Sequence, residues 1–99
     1  MLEVGWLYIG SYQLRASSGR YYIHVPAKLV SRFAHRRVNV LVQVDAPNCP
    51  DIHGVRAMYP AMLVKTGGTF RINIPTKFTR LALRVQECGG HLEVWISPL

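Results

Sequence analysis

Hydrophobic and polar positions alternate along much of this chain, and turn-forming residues bound most of the alternating stretches. Val38, Val40, Val42 and Val44 alternate with Asn39, Leu41 and Gln43, the period of two that puts one set of side chains on each face of a strand. Tyr21, Ile23 and Val25 alternate with Tyr22 and His24, and Phe70, Ile72 and Ile74 with Arg71 and Asn73. Val4 to Ile9, β-branched and aromatic, predicts another strand that Ser11 to Ala16 continues after a bend at Gly10, and Met62 to Lys65 predicts a short one. Pro26 and Pro75 each end a strand and open a short helix, because proline at the first helical position lacks only an N–H that would have had no partner. Leu29, Val30 and Phe33 are the expected apolar stripe of the first helix, and Phe78, Leu81 and Ala82 that of the second. Leu83, Val85 and Glu87 then predict a strand that turns at Cys88-Gly89-Gly90 into a hairpin with Leu92, Val94 and Ile96, stopped by Pro98.

The order strand, turn, strand, proline, helix occurs twice. With an offset of 49 (75 minus 26), Leu14 falls on Leu63, Gly19 on Gly68, Ile23 on Ile72, Pro26 on Pro75 and Lys28 on Lys77. The pairs Tyr21 with Phe70 and Val25 with Ile74 also match in kind. This self-similarity predicts an internal duplication: a first repeat over residues 1–45, a connector over 46–56 with turn-forming Pro47, Asn48, Pro50, Asp51 and Gly54, and a second repeat over 57–99. Each half alone would have ~50 residues, too few to bury a comfortable core, so the two are expected to share one.

Gly19 to Lys28 and Gly68 to Lys77 each resemble the AbrB/MazE group of swapped-hairpin DNA-binding proteins, in which a glycine turn leads into a strand ending in Ile-Pro or Val-Pro, then a short helix. The resemblance implies a mostly β fold with short helices: two AbrB-like swapped-hairpin units interleaved into a small β-barrel, here a pseudo-dimer within one chain. It also implies basic residues laid along DNA. The family places an Arg four positions before the proline and basic residues four or five after it. Arg71 and Arg80 match in the second half, whereas Tyr22, Val30 and Ser31 hold those places in the first, with Arg20 and Arg32 close by. The family's Gly-Asp before the next strand is replaced by His35-Arg36-Arg37 and by Leu83-Arg84.

Charge points the same way. Twelve Lys plus Arg stand against five Asp plus Glu, a formal +7, and nine of the twelve are Arg, whose planar fork suits phosphate oxygens and guanine edges. Arg15, Arg20, Arg32, Arg36, Arg37, Lys65, Arg71, Lys77, Arg80 and Arg84 lie near the turns and helices of the repeats and are the candidate phosphate contacts. Six to eight of them on phosphates would give a salt slope of roughly −5 to −7. Asn73 and His24, at matching positions on outward faces, are candidates to read base edges, and Tyr22 to stack on a base. The expected function is a DNA-binding transcriptional regulator contacting duplex DNA through both repeats. The alternatives are an antitoxin-like protein-binding module and a non-specific nucleic-acid-binding protein. Trp6 and Trp95, large aromatics expected at the surface, are the candidate anchors of a homodimer or protein partner.

Other chemistry finds little support. Glu3, Asp45, Asp51, Glu87 and Glu93 are scattered, and Thr66-Gly67-Gly68 lacks the lysine and helix of a phosphate loop, so no enzyme activity and no cofactor are expected. Cys49 and His53 have a C-x3-H spacing without a second ligand pair, so no metal is expected. The two cysteines, Cys49 and Cys88, lie far apart and define no disulfide framework, leaving a single bridge unsupported. MLEVGWLYIG lacks the basic start and cleavage site of a signal peptide, and no apolar run reaches the ~18 residues of a membrane span, which leads to the expectation of a cytoplasmic protein without a membrane partner.

Overall fold

The computed structural model describes residues 5–98. Within them the chain runs β1 (Leu7–Tyr12), β2 (Arg15–Ser17), β3 (Arg20–Pro26), α1 (Ala27–Val30), β4 (Arg37–Asp45), β5 (Arg56–Met62), β6 (Val64–Thr66), β7 (Thr69–Asn73), α2 (Thr79–Glu87) and β8 (His91–Pro98). A 3-10 turn, Ser31–Phe33, follows α1, and another, Thr76–Phe78, precedes α2. The fold is mostly β, as the alternation predicts, and forms two antiparallel four-stranded sheets, ordered β1-β8-β4-β5 and β2-β3-β7-β6.

Alternation decides which side chains are inside. Val38, Val40, Val42 and Val44 of β4 and Leu92, Val94 and Ile96 of β8 are buried on the inner face of the first sheet. Ile23, Val25, Phe70 and Ile72 line the inner face of the second, and all belong to one cluster of buried side chains. Ser17 pairs with Arg20, and Thr66 with Thr69, so both β2–β3 and β6–β7 are hairpins with two-residue loops. Ser18 and Gly19 have φ of 52° and 77° and Gly67 has φ of 64°, the left-handed values that tight hairpin turns need. Of the expected helix stripe, Val30 and Phe33 are buried while Leu29 is exposed. Val4 lies outside the described residues, and the strand predicted to start there is seen from Leu7 and continues through Gly10, where the β1–β8 register shifts. Met62 to Lys65 is not one strand: buried Leu63 separates β5 from β6.

The pairing has a regular numerical form. In the second sheet Tyr22 pairs with Asn73 and His24 with Arg71; adding 49 to 22 and 24 gives 71 and 73, so each pair is the image of the other and Ile23–Ile72 is its own image. In the first sheet Gly10 pairs with Val94 and Val40 with Tyr59, where 10 plus 49 is 59 and 40 plus 54 is 94. The same spacing of 54 links Leu41 to Trp95, which pair with each other at the centre of β4–β8. The five extra residues are taken up around the longer α2. Every ladder of the first sheet joins a residue before 46 to one after 55.

Two expectations fail in the second half. Residues 83–87 are helical, not a strand, and the predicted hairpin with Leu92–Ile96 does not form; β8 pairs instead with β1 and β4. The apolar residues that decide this are Phe78, Ala82 and Val85, spaced for one helix face, with Ala82 and Val85 buried while Leu83 is exposed. Cys88-Gly89-Gly90 ends the helix: Gly89, with φ of 64°, donates to Gln86 O and Gly90 to Val85 O, the paired bonds of a glycine helix stop. A Cβ on Gly90 would lie 2.9 Å from Ala46 Cβ and 3.0 Å from Asp45 O, so only glycine lets the helix end approach the β4–β5 loop this closely.

That approach makes the second correction possible. Cys49, in the loop 46–54, is bridged to Cys88 at the end of α2, although the sequence reading left a bridge unsupported. Linear separation hid the pair; folding the loop back on β4, with Gly54 N–H donating to Val44 O, brings the cysteines together. Exposed His53 ties the same loop to its start, its Nδ1 accepting the Ala46 N–H at 3.1 Å. Bridges persist where thiols are not kept reduced, so a cytoplasmic location fits this one only in a cell whose cytoplasm permits it. No described helix is long and apolar enough to cross a membrane.

Closing a loop across a separation of 39 residues removes unfolded-chain entropy, and breaking the bridge in a Cys49→Ala, Cys88→Ala double variant is expected to cost about 2–4 kcal/mol in a denaturant melt. Among the described residues one buried side-chain polar atom is left without a partner, the hydroxyl of Tyr59, which is buried against Phe78 and has its pKa pushed far up by burial. Tyr59→Phe is therefore expected to leave stability unchanged or raise it by about 1 kcal/mol in the same melt; a loss would mean that the hydroxyl is satisfied in solution.

Candidate nucleic-acid interface

The outer face of the second sheet follows from the same alternation that fills its inner one. Because Ile23, Val25, Phe70 and Ile72 point in, Arg20, Tyr22 and His24 of β3 and Arg71 and Asn73 of β7 share the opposite face. Arg15 joins them by pairing with Tyr22. Three arginines thus lie on one short sheet face, and none of the acidic residues described belongs to these strands.

At its centre the side chains are already ordered. The Arg71 guanidinium carbon lies 3.9 Å from the centroid of the Tyr22 ring, and its Nε donates to Asn73 Oδ1 at 2.8 Å. The ring fixes the plane of the guanidinium and the amide fixes its rotation, leaving the two terminal nitrogens to donate outward. Tyr22 therefore supports Arg71, and its ring face toward Arg71 is not open for the base stacking expected from sequence. His24 lies 5.2 Å from Tyr22, ring to ring. Burial first, and then the positive charges of Arg15 and Arg71, hold its pKa below the ordinary histidine value.

The remaining candidates are dispersed. Lys65 is exposed on β6, at the edge of the same sheet, but its pairing with Phe70 places it on the alternate set of positions. Arg32 lies over the Phe33 ring at 4.9 Å and Lys77 over Phe78 at 5.2 Å, each covering an aromatic with a cation. Arg36 is exposed before β4, and Arg80 is exposed in the first turn of α2. Arg37 begins β4 and lies on the outer face of the first sheet, away from the arginines of the second. Arg84 donates from one nitrogen to both oxygens of Asp51 at 3.0 and 3.1 Å and lies 3.9 Å from Glu87. Such an exposed pair contributes at most about 1 kcal/mol, yet it directs Arg84 toward the loop 46–54.

Sequence reasoning missed Tyr22 as a positioning residue for Arg71, although the pairing of residue 22 with residue 73 places both next to residue 71. Among the described residues no group of three or more His, Cys, Asp and Glu is placed to hold a metal ion. The chain matches no protein-family profile, no curated protein and no solved structure.

A histidine held below its ordinary pKa binds its proton more weakly in the folded chain than in the unfolded one. Its contribution is constant above pH ~6.5 and turns destabilising as pH falls through ~6.5, where the unfolded histidine takes up a proton first. Urea midpoints compared at pH ~7.5 and ~5.5 are expected to fall less for His24→Gln than for the parent chain. An equal fall in both would mean that neither burial nor the charges of Arg15 and Arg71 loosen the His24 proton.

Proposed function

We propose that this chain is a duplex-DNA-binding transcriptional regulator of AbrB type, built as two swapped-hairpin units in one chain. The repeat in the pairing register supports the duplication: β1 corresponds to β5, β2 to β6, β3 to β7 and β4 to β8, with self-paired centres at Ile23–Ile72 and Leu41–Trp95. Exchange supports the swapped arrangement, since β1 pairs with β8 of the other unit and β5 with β4. On this reading the two sheets are the walls of one small barrel that neither unit could close alone.

The observation that carries the DNA reading is the acid-free outer face of the second sheet, with Arg15, Arg20 and Arg71 displayed around a preset guanidinium. Arg15 and Arg20 contact phosphates there, and Arg71 with Asn73 supplies the donors and the one acceptor group suited to a base edge. A fixed arginine fork discriminates by geometry as well as charge, which favours sequence preference over general coating of nucleic acid. The first sheet's outer face favours protein contact, and that contact serves the regulator instead of replacing it.

Gel shifts on duplex and single-stranded DNA over a salt series test this reading. Duplex should be preferred, with log K falling against log salt at a slope of roughly −2 to −3, as two or three arginine contacts require. Arg71→Ala should cost about 1–3 kcal/mol and relax the sequence preference, which Arg71→Lys should not restore, whereas Arg15→Ala should weaken binding to every sequence and flatten the slope by about 1. Arg84→Ala, which removes a cation already engaged by Asp51, should change little. Absence of duplex binding at ~150 mM salt, or indifference to Arg71→Ala, overturns the proposal.

A further inference from the structure

The outer face of the first sheet differs from that of the second in a way that alternation alone does not explain. Tyr8 pairs with Trp95, Trp95 with Leu41, and Leu41 with Met58, so one rung of the sheet carries four apolar side chains across all four strands. Tyr8 is 51% exposed and Met58 60%, and Met62, further along β5, is 53% exposed. Leu41 is only 8% exposed yet stands outside the core cluster, because its neighbours on this outer face cover it. Tyr8 is held in place: its hydroxyl donates to Glu93, and its ring tilts against Trp95 with centroids 5.2 Å apart. Aromatics ordered in advance lose little freedom when a partner arrives.

We propose that this face is a self-association surface, through which two copies of the chain pack back to back. Charge selects the occupant. A chain of +7 repels its own copy, most of all at the arginine face of the second sheet. On the first sheet's outer positions Arg37 and Arg56 are balanced by Asp45 and Glu93, so this face adds no repulsion of its own and is where two copies meet at least cost. Register supplies the fit. The self-paired centre of the sheet, Leu41–Trp95, is also the centre of the apolar rung. A two-fold axis lying in the interface parallel to the strands sets β1 over the partner's β5. Tyr8 then meets the partner's Met58, a sulfur–aromatic contact, and Trp95 meets the partner's Leu41. Arg56 comes to the side on which the partner carries Glu93. Four strands at ~4.8 Å and about seven residues at ~3.3 Å give roughly 400 Å² in projection on each copy, the size of a weak, transient interface, so the dimer should form only at roughly 10–100 µM and above.

Back-to-back packing leaves both arginine faces pointing away from the interface. On the duplex-binding reading, on which this consequence rests, one dimer holds two DNA segments at once.

Sedimentation equilibrium of the full chain without DNA, from ~1 to ~200 µM, tests the interface by itself. The mass should rise from 11.2 kDa toward twice that value. Met58→Lys, on a well-exposed side chain, should keep the unfolding midpoint and weaken the dimer at least tenfold, and Tyr8→Lys, at some loss of stability through its contacts with Glu93 and Trp95, should weaken the dimer as much. Arg20→Glu, on the other sheet, should not weaken it. A monomer at every concentration, or a dimer that both lysine variants leave intact, overturns the proposal. For the consequence, a bead-bound duplex should retain a second labelled duplex with the parent chain but not with Met58→Lys, while each binds a single duplex equally. A dimer that binds no DNA overturns the duplex reading and leaves the interface standing.

Discussion

Everything in this structure depends on the antiparallel pairing of β4 with β8, which sets Val40 against Ile96 and Val42 against Val94 in the centre of the first sheet. Those four side chains are buried at the middle of the shared core, and β1 and β5 have their only ladders along the outer edges of this pair. Since β4 ends at Asp45 and β8 begins at His91, the central ladder closes a long loop before any of its contacts is made. Non-local pairing of this kind makes folding slow relative to helical domains of the same size. The Cys49–Cys88 bridge lies just beyond the same end of both strands, so it shortens the loop that the central ladder must close.

One core with two sheet faces turned outward also explains how surfaces of opposite character can coexist on so small a chain. The inner residues of each strand are determined by burial, which leaves the alternate positions free to differ. On β3 and β7 they are arginine, tyrosine, histidine and asparagine; on β4 and β8 they include Leu41, Trp95, Asp45 and Glu93. Mixing those sets on one face would place Asp45 or Glu93 among the arginines and weaken any attraction to phosphate. Their separation is the physical basis for proposing polyanion contact at one face and self-association at the other.

Strand interiors were readable because period two is a strong signal wherever one face is buried: Val38 to Val44, Tyr21 to Val25 and Leu92 to Ile96 all fall where alternation puts them. Position 95 was also readable as outward, being out of phase with 92, 94 and 96. Residues 83–87 were not, because Leu83, Val85 and Glu87 alternate as a strand would, while Ala82 and Val85 satisfy a helix; only packing on the sheet decides between two periods in so short a run. The bridge could not be read, since separation in sequence does not report distance when a loop folds back. Nor could the engagement of Arg84, because Asp51 lies 33 residues away and reaches it only through that loop. What was legible of the basic face was its composition, and what was hidden was its internal support.

That support gives meaning to the inequality of the two halves. Under the offset of 49, Tyr22 and Arg71 hold the same place, and so do His24 and Asn73 (24 plus 49 is 73). A strict copy would put two arginines diagonally across β3 and β7, where each guanidinium would repel the other at close range on a partly desolvated sheet. With tyrosine at position 22, the ring accepts the single guanidinium on its face, and Asn73 holds it from the side. Histidine opposite Arg71 completes the arrangement, since a ring kept largely neutral near neutral pH adds no charge to what two arginines already supply. Tyrosine instead of arginine at position 22 is thus the condition for ordering Arg71.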